Sequence, residues 1–138
     1  KDDYFFLTYG DGLSNVNLKK LLKFHIKNKG IATLTAVNPP VRFGEIKFDR
    51  KIIKSFKEKP QAGVGWINGG FFVLNKKIFN YIDSKKTVFE REPLSELSKK
   101  KKLFGYKHKG FWQCMDTIRD KENLQKIIKK GKLKWLNY

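Results

Sequence analysis

Two aspartates stand where an acidic side chain could meet a phosphate or a metal ion. Asp11 lies between glycines in Gly10-Asp11-Gly12, straight after the apolar run Phe5-Phe6-Leu7, and Asp116 closes Gly110-Phe111-Trp112-Gln113-Cys114-Met115. Ligands of open α/β sheets bind just past the carboxyl ends of strands, which makes Asp11 a candidate metal ligand. Gly10 and Gly12 would let a phosphate or sugar approach the backbone there. Each aspartate also has a plainer role: Asp11 as a turn residue that bonds its own backbone, and Asp116 as the N-cap of the helix that follows. A third polar group, Lys57-Glu58-Lys59-Pro60, reads in isolation as a solvated turn. In Asn68-Gly69-Gly70, a glycine pair inside an apolar strand marks a bulge or a close ligand approach.

The elements that must position these residues follow from the pattern. Phe5 to Thr8 reads as a strand buried on both faces. Ser14 or Asn15 can cap a helix with apolar positions Leu18, Leu21, Leu22, His25 and Ile26, ended by Gly30 in a left-handed cap. Ile31 to Val37 is a second buried strand, so strand, helix and strand form a βαβ unit with parallel strands. His25 belongs to the core rather than to a metal site. Phe43 to Phe56 forms an antiparallel hairpin turning at Asp49-Arg50, and Trp66 to Leu74 a further strand. Asn75 caps a short helix through Tyr81, and Pro93 sits in the first turn of the next. Leu103 to His108 is a short strand, and a closing helix runs from about Thr117 to Lys130, ended by Gly131. The expected architecture is a three-layer α/β fold with a mixed, mainly parallel sheet.

Length and composition bound the function. With 138 residues, 40% hydrophobic and 14% aromatic, the chain makes one globular domain and is not disordered. No apolar run reaches membrane-spanning length, and a single cysteine, Cys114, suits a reducing cytosol. The net charge of +18 invites a nucleic-acid reading, yet only four of the 31 basic residues are arginines. Specific readers of phosphates and bases lean on arginine, so a solvated basic surface is the better reading, and no specific nucleic-acid partner is expected.

Six motifs in order then carry a likeness: Phe6-Leu7-Thr8-Tyr9-Gly10-Asp11-Gly12, Arg42-Phe43-Gly44, Phe56-Lys57-Glu58-Lys59-Pro60, Ile67 to Leu74, Glu92-Pro93-Leu94 and Gly110 to Thr117. Together they resemble the sugar-1-phosphate nucleotidylyltransferases, and most closely their cytidylyl branch. The resemblance implies a Rossmann-like nucleotidyltransferase fold, present as its C-terminal, sugar- and metal-binding portion. The glycine-rich nucleotide loop of the family, Gly-Gly-x-Gly-Thr-Arg with a downstream Lys-Pro, has no counterpart among these residues. The resemblance further implies CTP and glucose 1-phosphate as substrates, Mg2+ as cofactor and a homo-oligomer. By the same likeness Asp11 and Asp116 hold the metal, and Lys59 meets the sugar phosphate. Glu58 and Asn68 meet sugar hydroxyls, Gly44 and Gly69 lie against the sugar ring, and Gly10 lies near the nucleotide. Arg42 is left between a phosphate contact and a surface residue, Trp112 is a wall near Asp116, and Cys114 is inert. Two other readings stay open: a non-catalytic sugar-phosphate or subunit-binding module, and a thymidylyl or uridylyl transferase of the same family.

Overall fold

A computed structural model of the protein describes residues 3–39, 45–57, 65–131 and 133–136. Its elements are β1 (Tyr4–Thr8), β2 (Gly12–Ser14), α1 (Leu18–Asn28), β3 (Ala32–Val37), β4 (Glu45–Asp49), β5 (Ile52–Lys57) and β6 (Ile67–Asn75). A 3-10 helix (Lys76–Tyr81), α2 (Glu92–Lys99), β7 (Leu103–His108), β8 (Trp112–Cys114) and α3 (Ile118–Lys129) complete it. The main sheet has the order β1-β6-β3-β7. β6 runs antiparallel to both β1 and β3, while β3 and β7 are parallel. Three of the four strands therefore point the same way, but β6 lies between the two strands of the expected βαβ unit. The sheet is mixed, and only one of its three ladders is parallel.

Residue alternation on β6 builds three layers. Phe72 and Leu74 face one side, where Ala32, Ile78, Leu94 and Leu97 close a core with α2 and the 3-10 helix. Val73 and its cross-strand partner Thr33 face the other side, toward α1. There the fully buried His25 bonds Thr33 Oγ1 through Nδ1 at 2.8 Å and meets the Tyr4 ring edge-on at 5.1 Å. Phe24 of α1 packs on Tyr106 of β7 at 5.5 Å. Burying a sheet on both faces is the ordinary solution for an α/β domain.

Several local expectations shift. β1 is an edge strand with Phe6 47% exposed, not a strand buried on both faces. The cap of α1 is Asn17, whose side chain accepts from the Lys20 N–H at 2.9 Å, rather than Ser14 or Asn15. Lys29, not Gly30, takes the left-handed conformation at its end, with φ 52°. A side chain at Gly30 would run into the Phe104 ring, so packing is what requires glycine there. The Asp49-Arg50 turn, the Asn75 cap of the 3-10 helix, Pro93 in the first turn of α2 and the full span of β7 lie where the pattern puts them. Among the described residues no helix is long and apolar enough to cross a membrane.

Candidate functional site

A ladder that no local pattern announces brings the backbones of the two candidate metal ligands to neighbouring register positions. β2 and β8 pair antiparallel, Gly12 opposite Cys114 and Ser14 opposite Trp112. The Met115 N–H continues the ladder to the Asp11 carbonyl at 2.9 Å. Asp11 and Asp116 therefore sit at the same end of this ribbon, one residue apart in register, and both are exposed. Gly10, in the turn that leads into β2, is exposed too, and a Cβ placed there would meet nothing within 4 Å among the described residues.

Asp116 is not the cap of α3. That role belongs to Thr117, which accepts from the Asp120 N–H at 3.2 Å and donates to Asp120 Oδ2 at 2.8 Å, while the Thr117 N–H donates to the same oxygen at 3.2 Å. This reciprocal capping box satisfies helix-end donors without Asp116. The thiol of Cys114 donates to Asp116 Oδ2 at 3.2 Å.

Cys114, Asp116 and Asp120 place ligand atoms within 4.8 Å of one another. They do not make one donor set for magnesium, however. Asp120 is buried and holds the start of α3 through Oδ2, with Gln113 Nε2 at 3.4 Å from Oδ1. A thiol is a soft donor, which hard Mg2+ disfavours. Asp11 and Asp116 are exposed carboxylates, the donor type that Mg2+ takes one or two of alongside phosphate oxygens and water.

The second cluster is built on the bulge in β6. Between the pairs Leu34–Phe72 and Ala36–Asn68 the register slips, so Gly69, Gly70 and Phe71 stand against Thr35 alone. Gly70 takes φ +76°, and a Cβ there would meet Tyr9 Cδ2 at 2.8 Å. Gly69 is buried, and a Cβ on it would meet Val37 and the Thr35 carbonyl, a packing reason for glycine that needs no ligand. Asn68 is half-buried and doubly anchored: Oδ1 accepts from the Gly70 N–H at 2.9 Å, and Nδ2 donates to the Tyr9 hydroxyl at 3.0 Å. Tyr9 in turn donates to Glu90 Oε1 at 2.5 Å. Burial, and then this bond to a carboxylate, push the Tyr9 phenol up from 10.0 to about 12.

One indole links the two clusters. Trp112 Nε1 donates to the Gly69 carbonyl at 2.8 Å, fastening the carboxylate-bearing ribbon to the bulge. Tyr9, two residues before Asp11, makes the second link through Asn68. Asp11, Asp116, Asn68, Gly69 and Gly10 thus belong to one connected region. Arg42, Gly44, Glu58 and Lys59 lie outside the described residues. Sequence reasoning missed the Tyr9 hydroxyl, Glu90 and the Trp112 bond. Tyr9 stood in a motif already singled out, but Glu90 is 81 residues away and nothing local couples them.

The three-layer α/β fold with its mixed sheet is that of the Rossmann-like nucleotidyltransferases. The chain belongs to the nucleotidyl transferase family, which matches residues 1–130. It is 44% identical over 134 residues to the glucose-1-phosphate cytidylyltransferase of Salmonella typhi, covering 97% of this chain and 52% of that protein. It is 35% identical over 121 residues to the mannose-1-phosphate guanyltransferase of Pichia angusta, covering 83% of this chain and 33% of that one. The crystal structure of HddC from Yersinia pseudotuberculosis shares the fold, with a TM-score of 0.65 at 21% identity, covering 93% of this chain and 56% of that one. The chain spans about half the length of the glucose-1-phosphate cytidylyltransferase it matches.

Proposed function

We propose that this chain carries the sugar- and metal-binding portion of a glucose-1-phosphate cytidylyltransferase, which joins CTP and glucose 1-phosphate into CDP-glucose and pyrophosphate. The observation that supports the reading is the placement of Asp11 and Asp116 at one end of the β2–β8 ribbon, one register position apart and both exposed, with the capping of α3 left to Thr117. The relative at 44% identity supports the choice of glucose 1-phosphate and CTP.

In this reaction a phosphate oxygen of the sugar attacks the α-phosphorus of CTP, and the bond to the bridging oxygen breaks as pyrophosphate leaves. No enzyme nucleophile is needed, so alignment and charge neutralisation carry the catalysis. Asp11 and Asp116 would hold Mg2+, which supplies positive charge to the phosphates. Lys59 would meet the sugar phosphate, Glu58 and Asn68 the sugar hydroxyls, Gly44 and Gly69 the ring, and Gly10 the nucleotide. The nucleotide loop and a homo-oligomeric partner complete the enzyme in the cytosol.

A second reading, a module that binds sugar phosphate without turnover, draws on the half-length match. The test of both is thermal. Glucose 1-phosphate with Mg2+ is expected to raise the melting temperature, and Asp11→Asn to abolish the Mg2+ part of that rise. Little or no pyrophosphate release is expected from the 138-residue chain alone. No thermal response to either ligand, with DNA binding that falls steeply with salt, would overturn the proposal in favour of a basic nucleic-acid binder.

A further inference from the structure

α1 lies outside the candidate site, and its outer surface has a composition of its own. From Gly12 to Gly44 the chain holds no acidic residue, while α1 and its C-cap carry Lys19, Lys20, Lys23, Lys27 and Lys29, all exposed. Leu21 and His25 face the sheet and are fully buried. Round the helix from them, Leu18, Leu22 and Ile26 follow at four-residue steps and form one row on the surface. Leu18 is 45% exposed, Leu22 is half-buried and Ile26 is 47% exposed. Lys19, Lys23 and Lys27 make the neighbouring row at the same spacing. Past the end of α1, the Ile31 N–H donates to the Lys102 carbonyl at 3.0 Å, so the basic run Lys99 to Lys102 adjoins that end of the helix.

We propose that this face of α1 is a docking surface for an anionic lipid bilayer, with the lysines among the headgroups and the Leu18–Leu22–Ile26 row set into the interface beside them. Charge complementarity selects the partner. Two copies of this acid-free face repel each other. A nucleic acid would answer the lysines but leave the apolar row in water. To a nucleic acid α1 also offers no arginine and no free aromatic ring, because Phe24 packs on Tyr106 at 5.5 Å. An anionic interface takes both rows, the ammonium groups beside lipid charges and the apolar side chains just below them. The contact is peripheral, since the main apolar face of α1 already lies on the sheet.

Cosedimentation with vesicles tests this, phosphatidylcholine alone against phosphatidylcholine mixed with phosphatidylserine. The chain is expected to bind the mixed vesicles and not the neutral ones, and to be released as salt rises. Each of Lys19→Gln, Lys23→Gln and Lys27→Gln should weaken binding by about 5-fold. Ile26→Gln changes no charge and should still weaken it by about 5-fold, from the half-exposed side chain that no longer enters the interface. Leu18→Gln, at the other end of the row, should do the same, so the result does not hang on the folding of one variant. Ile118→Gln, at a site 79% exposed on α3, should leave binding unchanged. Absence of binding to the mixed vesicles would overturn the proposal. So would lysine-dependent binding that Ile26→Gln and Leu18→Gln leave intact, or an equal loss in Ile118→Gln, since either means a diffuse charge field without a docking face. Tighter binding to duplex DNA with the same lysine dependence would overturn it in favour of a nucleic-acid surface, and a lipid-free dimer lost in Ile26→Gln would give the row to a second copy instead.

Discussion

Asp116 and Thr117 are neighbours with opposite duties. Thr117 and Asp120 close the start of α3 between them, so the helix does not depend on the Asp116 carboxylate, which stays exposed one register position from Asp11. That division makes two adjacent substitutions behave differently. Thr117→Ala removes a capping oxygen and is expected to lower stability by about 1 kcal/mol. Asp116→Asn is expected to change stability by no more than about 0.5 kcal/mol, the usual range for an exposed site, while weakening the Mg2+ response. Urea unfolding of the two variants checks the pair. Equal losses would mean that Asp116 supports the helix after all.

At the level of elements, what is local was legible and what is non-local was not. The Asn75 cap, the Asp49-Arg50 turn, Pro93 in α2 and the strand from Leu103 to His108 all follow from residues next to one another. The insertion of β6 between β1 and β3 does not, because an apolar strand with both faces buried fits any central place in a sheet, and partners far along the chain decide it. The β2–β8 ladder was hidden for a further reason: two three-residue strands carry too little alternation to show a period. Of the candidate site, the aspartates and the glycine bulge were visible as residues, whereas the bonds that join them were not.

The bulge itself can be tested through Gly70. At φ +76° an alanine is strained by about 1–2 kcal/mol before its Cβ meets the Tyr9 ring 2.8 Å away. Gly70→Ala is therefore expected to lower the melting temperature and to loosen the Tyr9–Asn68 bond together. On the opposite face of the sheet, His25 gives α1 a pH dependence. Burial holds its imidazole below the ordinary 6.5, and among the described residues Nε2 has no hydrogen-bond partner that would welcome a proton. As pH falls, the unfolded chain takes up this proton before the folded one does. Its contribution is thus complete above pH 6.5 and lost as the pH drops below that value, by at most about 1.4 kcal/mol per pH unit. Chemical unfolding between pH 7 and 5 should show the decline, about one proton steep, and His25→Gln should flatten it.

At the scale of the whole molecule, the β4–β5 hairpin is not hydrogen-bonded into the main sheet among the described residues. It forms its own two-stranded sheet, in which Ile46 pairs with Phe56 and Phe48 with Ile53. Directly opposed residues share a face, so each pair sets two apolar side chains side by side, with Lys54 the extra residue where the register shifts between them. The paired side chains remain 45% to 66% exposed. A two-stranded ribbon cannot cover its own face, and contiguous apolar surface of this kind lowers solubility. The chain's charge of +18 opposes this by keeping copies apart, an effect that salt screens. The isolated chain is therefore expected to precipitate as ionic strength rises, and Phe48→Lys to delay that onset. Because Phe48 is 66% exposed, the substitution should leave unfolding free energy within about 0.5 kcal/mol of wild type. Light scattering across a salt series, run beside urea unfolding, reads both. A Phe48→Lys chain that unfolds much more easily would mean that the hairpin's apolar face is packed against the body rather than turned to solvent.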